Sequence, residues 1–178
     1  MASITPTTII GVGSPAGDDR LGWEVIARLQ QRLPAQLNVE LIALDRPGSG
    51  LIPLLQGSDG CWLIDAIATT GAPGRHLQPD LSELAQVGAP VSGSHGFGVA
   101  ESLQLAATLG VLPAHLELHC VTIGTANLLG EQLSPAVDAG VDGLVQRFYQ
   151  RLVQSVDHTA TFKGGVGSTG SVGSPDRS

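Results

Sequence analysis

The order of apolar and polar residues switches repeatedly between a strand-like and a helix-like period. Thr7–Gly13, "TTIIGVG", is a β-branched apolar run and predicts a buried first strand. Trp23, Ile26, Leu29 and Leu33 then recur on one helical face, and Pro34 stops that helix. "NVELIAL" (residues 38–44) predicts a second strand, followed by the loop "DRPGSG" and a short helix at "LIPLLQG", where Pro53 is tolerable only in the first turn. "CWLIDAI" (residues 61–67) is apolar on both faces, as a central strand of a parallel sheet must be. Residues 69–91, rich in Gly, Pro and Ala, leave room for one extra edge strand. "SGSHGFGVAESLQLAATLG" is a glycine-rich loop opening a helix that ends at Gly110, and "LELHCVTIG" (residues 116–124) is another strand. Ser134 caps the last helix, Pro135 occupies its first turn, and Val137, Val141, Leu144, Val145, Phe148 and Leu152 form its apolar face. Strands alternating with helices predict a three-layer α/β/α domain with a mostly parallel sheet over residues 1–158. Residues 159–178 are Gly/Ser-rich and predict a disordered tail.

Composition narrows the class. Of the 178 residues, 42% are hydrophobic but only 3% aromatic, so the core is built from Leu, Val, Ile and Ala. A net charge of -7 argues against nucleic acid or an anionic membrane surface as partner. No signal-peptide pattern opens the chain, and no apolar run approaches the ~20 residues of a membrane span. Cys61 and Cys120 both lie in apolar runs, which suits buried thiols in a reducing cytoplasm.

Gly11, Gly13 and Gly17 follow the first strand at a spacing loosely like a dinucleotide-binding loop. Asp18 and Asp19, however, stand where a pyrophosphate would meet the helix N-terminus. Like unit charges about 4 Å apart repel by roughly 1–4 kcal/mol at surface-like dielectrics. No Walker lysine follows. The loop therefore suits a cation better than a nucleotide. One of the two aspartates is accounted for as a helix N-cap, the role best suited to Asp18; the other still needs an explanation.

Ligands of open parallel sheets sit in the crevice beyond the carboxyl ends of the strands. Asp19 follows the first strand, Asp65 interrupts an apolar run near the end of the third, and His95 lies between glycines in a loop that opens a helix. A carboxylate at the end of a buried strand must be paired, hydrogen-bonded to nearby backbone, or bound to a metal. Two carboxylates and an imidazole suit a borderline divalent cation such as Zn²⁺ or Ni²⁺, and ligand type alone does not choose between them. His76, His115, His119 and His158 read as surface or packing residues. Ser94 adjoins His95, but without a G-x-S-x-G elbow a serine hydrolase is disfavoured.

At these residues the chain resembles the hydrogenase maturation proteases, endopeptidases that trim the C-terminus of the [NiFe] hydrogenase large-subunit precursor. The resemblance covers about residues 7–155. It rests on "IIGVGSPAGDDRLG", "LIDAI" and "SGSHGFGVAESLQLAATLG" in that order, then "CVTIG" and "LSPAV". It implies an α/β/α fold of the phosphorylase/hydrolase type and a site falling on Asp19, Asp65 and His95. Those residues would act both as catalytic groups and as contacts to nickel already inserted in the precursor, with no nucleotide involved. If the metal acts as a Lewis acid, an unligated carboxylate, with Asp18 the nearest candidate, would serve as general base. The chain departs from the family pattern at Ser14 and Pro15, in a loop one residue shorter, and at Arg20. It also carries "DRPGSG" after the second strand in place of a Gly-Thr-type segment. These departures leave open which of Asp18 and Asp19 faces the metal, with Asp19 preferred. A non-catalytic metal- or precursor-binding hydrogenase assembly factor is the alternative from a different class, and a small-molecule hydrolase is a third.

Overall fold

A computed structural model of the protein describes residues 6–86, 98–124, 127 and 130–163. The strands are β1 (Thr8–Gly13), β2 (Glu40–Asp45), β3 (Gly60–Ala68), β4 (His76–Leu77) and β5 (His115–Ile123). The helices are α1 (Leu21–Arg32), α2 (Leu51–Gln56), α3 (Leu81–Gln86), α4 (Val99–Thr108) and α5 (Pro135–Lys163). The sheet order is β2-β1-β3-β5-β4, parallel throughout except for β4, which runs antiparallel to β5. β3 is central, in keeping with its two apolar faces, and β4 is the edge strand for which residues 69–91 leave room.

Alternation along each strand sorts the core into two layers. Ile9, Trp62, Ile64, Val121 and Ile123 pack against α1 and the Val137–Leu152 face of α5. Ile10, Val12, Cys61, Leu63 and Leu118 pack against Leu51 and Leu55 of α2 and Leu103 and Ala106 of α4. The result is the α/β/α arrangement, with Cys61 and Cys120 free and buried. α1 ends where Leu33 turns extended ahead of Pro34, a residue that disfavours helical geometry in its predecessor. Trp23 ties α1 to the sheet by donating from Nε1 to the Leu44 carbonyl at 2.8 Å. α3 has no counterpart among the expected elements. It starts at a capping box in which the Asp80 carboxylate accepts the Glu83 N–H and the Glu83 carboxylate accepts the Asp80 N–H, both at 2.8 Å. α5 runs past His158 to Lys163; residues 164–178, most of the expected tail, lie outside the described residues.

The glycines after β1 answer a packing demand. α1 crosses β1 so closely that a Cβ on Gly11 would overlap the Gly22 carbonyl, and one on Gly22 would overlap the Val12 carbonyl. Gly22→Ala should therefore cost about 1–3 kcal/mol by forcing helix and strand apart, read as a lower urea midpoint with an unchanged slope. Only Gly17, at φ +51°, is needed for its left-handed backbone in this loop.

Candidate active site

β1 has β2 on one side and β3 on the other, so the strand order reverses direction between β1 and β3. The pairing of β1 with β3 runs from Thr8↔Cys61 to Gly11↔Ile64 and stops there. Beyond it the two strands open a crevice at their carboxyl ends, the place where ligands of such sheets sit. Asp65 is the first residue of β3 past the last β1 pair. Asp19 lies in the 3₁₀ turn Gly17–Arg20 that follows β1.

The turn seats its two aspartates oppositely. Asp18 is buried, with 2% of its surface exposed. One of its oxygens accepts the Ser134 N–H at 2.6 Å and the Asn127 amide at 2.9 Å; the other accepts the Ser134 hydroxyl at 2.9 Å. The backbone adds Asp18 N–H to the Asn127 carbonyl at 3.1 Å and Gly17 N–H to the Gly130 carbonyl at 2.6 Å. Asp18 is thus not the N-cap of the helix after it, since neither the 3₁₀ turn nor α1 has a side-chain cap bond. It binds instead at the entry to α5, where its negative charge also complements the helix dipole. Nor is it available as a general base: the carboxylate is buried and both of its oxygens are committed to Ser134 and Asn127. Ser134 stands at the start of α5 as expected, with its carbonyl accepting the Asp138 N–H at 2.9 Å, but its hydroxyl is given to Asp18.

Asp19 is only partly covered and reaches Asp65 electrostatically. The Asp65 carboxyl is pushed up to about 7, first by burial among the strand ends and then by the Asp19 charge, against a lowering from the Ala66 N–H that it accepts at 2.9 Å. Its register partner on β5 is Cys120, and burial with the nearby Asp65 charge pushes that thiol up to about 12. Asp19 therefore lies within electrostatic reach of Asp65. His95 lies outside the described residues. What is described is where its loop leads: Val99, at the start of α4, packs with the layer that holds Leu63, and the Ser102 hydroxyl donates to the Gly48 carbonyl at 2.9 Å. Among the described residues no three of His, Cys, Asp and Glu are placed to hold a metal ion. The two carboxylates nonetheless suit a cation, because Asp65 carries an ionisation cost that a positive charge would remove.

Neither a protein-family model nor a curated protein matches the chain. Solved structures do. A [NiFe] hydrogenase maturation protease, HycI from Thermococcus kodakarensis KOD1, superposes with a TM-score of 0.66 at 19% identity, covering 83% of this chain and 94% of that one. The hydrogenase maturating endopeptidase HybD from E. coli gives 0.61 at 23% identity, covering 85% and 92%. This is the fold of the hydrogenase maturation proteases. An endopeptidase from Escherichia coli known from a solution structure gives 0.65 at 23%, covering 83% and 93%. The shared architecture spans nearly the whole of each of these three chains.

A second polar cluster lies away from the crevice, on the α5 side of β5. His119 is fully buried between Trp62 and Phe148, and its Nδ1 faces Nε2 of His76 at 3.0 Å. Glu117 takes a bidentate pair from Arg151 at 2.7 and 2.8 Å and approaches His119 Nε2 at 3.3 Å. His76 is therefore a half-buried strand residue and His119 a packing residue. Burial, then the His76 charge, push His119 down to about 3. As pH falls below the ordinary histidine value of about 6.5, the unfolded chain binds a proton that the native chain refuses, and stability is lost. Between pH 7 and pH 4.5 this group should remove roughly 2–3 kcal/mol, and His119→Gln should flatten that slope in urea titrations at the two pH values.

Proposed function

We propose that the protein is an endopeptidase of hydrogenase maturation, which recognises nickel in the immature [NiFe] hydrogenase large subunit and removes its C-terminal propeptide. The observation that carries this reading is that Asp19 and Asp65 lie within electrostatic reach of each other at the switch point of a sheet shared with maturation proteases. In this reading the nickel arrives with the precursor and is part of the substrate. Asp19 and Asp65 offer it carboxylate oxygens, and His95 a neutral nitrogen. Asp65 holds its proton to about pH 7 in the free protein and gives it up as the cation approaches, because positive charge favours the carboxylate. Held by these residues, the metal would supply Lewis acidity toward the scissile carbonyl. The Asp18 latch keeps the 3₁₀ turn in place, so that Asp19 meets the metal without first reorganising. The free thiols of Cys61 and Cys120 fit a reducing cytoplasm, where the precursor would be met.

The test is the intact mass of the large subunit after incubation of nickel-loaded precursor with the full-length chain. Loss of the C-terminal segment over many turnovers is expected, with none from nickel-free precursor or from His95→Ala. Stoichiometric binding without cleavage would instead make the protein an assembly factor.

A further inference from the structure

Three large apolar side chains stand exposed among the described residues: Leu77 at 37%, Leu105 at 37% and Leu109 at 58%. All three lie on one side of the sheet. Leu77 is the register partner of Cys120, two residues on from Leu118, which packs in the layer of α2 and α4. Leu105 of α4 and its C-cap Leu109 are one turn apart on a single helix face. The cover on this side is thin, because α2, α3 and α4 have 6, 6 and 10 residues against 12 and 29 for α1 and α5. Ile52, Leu54, Leu84 and Leu112 are left only half-buried there.

The same side has almost no charge. No residue from Pro47 to Ser58, or from Ser102 to Ala114, is charged. α3 and α4 hold one acid each, and both are folded back on their own helix starts. Glu83 accepts the Asp80 N–H at 2.8 Å and Glu101 accepts the Gly98 N–H at 3.0 Å. The opposite side is built otherwise: α1 carries Glu24, Arg28 and Arg32, and Arg28 donates across to Asp138 and Asp142 of α5 at 2.5 and 2.6 Å. In a chain of net charge -7, the α4 side is therefore the face that another protein can cover without desolvating charges. A charged group on that protein would meet no counter-ion here, so the matching surface must be uncharged as well.

This face adjoins the candidate site. Asp65 follows Leu63 by two residues on β3, and alternation turns it to the same side. The Ser102 hydroxyl, in the first turn of α4, bonds to Gly48 just past the carboxyl end of β2, so α4 starts at the crevice end of the sheet. At about 1.5 Å per residue, Leu105 and Leu109 lie roughly 9 and 15 Å along the helix from Val99. A standard interface covers about 800 Å² per partner, roughly 30 Å across, so one centred on these leucines extends to the crevice rim.

We propose that the outward face of α4 docks the folded body of the large-subunit precursor, through an uncharged apolar patch on that partner. The proposal rests on the endopeptidase reading above for the partner's identity. Nickel held inside a folded subunit reaches Asp19 and Asp65 only if the subunit's own surface rests beside the crevice. A second copy of this chain seated on α4 would stand over the crevice mouth, so the free protein should be a monomer.

The experiment measures binding of the full-length chain to nickel-loaded precursor, KM and kcat for processing, and sedimentation of the free chain. Leu109→Glu and Leu109→Lys should each weaken binding and raise KM by about tenfold, with kcat within about twofold. Leu105→Lys should act in the same direction. Leu109→Met should stay near wild type, as should Gln31→Glu, which adds a charge on the exposed side of α1. Wild-type affinity should change by less than about threefold between roughly 50 and 500 mM salt. Binding unchanged by either Leu109 charge, binding tightened by one sign of charge, or a wild-type dimer that Leu109→Glu dissolves would overturn the docking surface. If wild type and Leu109→Glu cut the precursor alike, the docking surface falls and the endopeptidase reading stands. If wild type binds the precursor, the charged variants do not, and no cleavage occurs, the endopeptidase reading falls and the docking surface stands.

Discussion

Asp65→Asn should make the protein more stable at pH 8 by roughly 2–4 kcal/mol while abolishing processing of nickel-loaded precursor. The two effects have one origin. Asp65 sits where the sheet opens, with its carboxyl raised to about 7 by burial and by Asp19. In the unfolded chain it ionises near the ordinary aspartate value of about 4. Below pH 4 both states hold the proton and the group costs nothing. Between pH 4 and pH 7 the unfolded chain releases its proton while the native chain keeps it, so stability falls as pH rises. Above pH 7 the native chain carries the uncompensated charge and the full cost. Asparagine keeps the size and the acceptor for the Ala66 N–H but has no charge, so the variant's advantage should be small at pH 4 and largest at pH 8. Urea midpoints at the two pH values measure it. An offset equal at both would mean that Asp65 is already neutralised in the native chain. Loss of processing with a gain of stability would mark Asp65 as a residue kept for its chemistry, in line with the usual trade between stability and activity.

Much of the fold is legible because β1 and β3 are apolar on both faces and the elements are separated by strong punctuation. Pro34, Gly110 and Pro135 mark element ends by steric rules that tertiary packing does not override. α3 lies outside the sequence expectation although Asp80-Leu81-Ser82-Glu83 is a readable capping box, because its short apolar pattern is hidden in a stretch rich in Gly and Pro. The glycine loop was read for what it binds, whereas Gly11 and Gly22 serve the crossing of α1 over β1. No local pattern could show that, because the demand arises between a strand and a helix. Asp19 and Asp65 were legible as carboxylates at strand ends. The role of Asp18 was not, since its partners Asn127 and Ser134 are more than a hundred residues away. His76 was equally hidden: a two-residue strand leaves almost no periodicity, and its meaning comes from His119 across the β4–β5 pair.

Asp18 should tolerate asparagine but not alanine. With Asp18→Ala, the half-buried Ser134 N–H and hydroxyl and Asn127 amide lose their acceptor together. Hydrogen bonds to a charged group contribute about 1.5–3 kcal/mol each, and a buried donor left unmade costs about 1–3 kcal/mol. The losses overlap because the three donors share one carboxylate, so the net change should be roughly 3–5 kcal/mol rather than their sum. Asp18→Asn retains an oxygen for the Ser134 N–H and the Asn127 amide, and the Ser134 hydroxyl can rotate to accept from the new amide. That variant should lose only about 1 kcal/mol, most of it the charge near the start of α5. Hydrogen exchange should locate the effect of the alanine variant, with protection lost first at the 3₁₀ turn and the opening turn of α5. Processing should follow the turn: near wild type for asparagine, and strongly reduced for alanine even at temperatures where the domain stays folded, because Asp19 loses its fixed position. If asparagine proved as damaging to processing as alanine while leaving stability intact, Asp18 would carry its charge for the reaction, and the latch would not be its reason for being there.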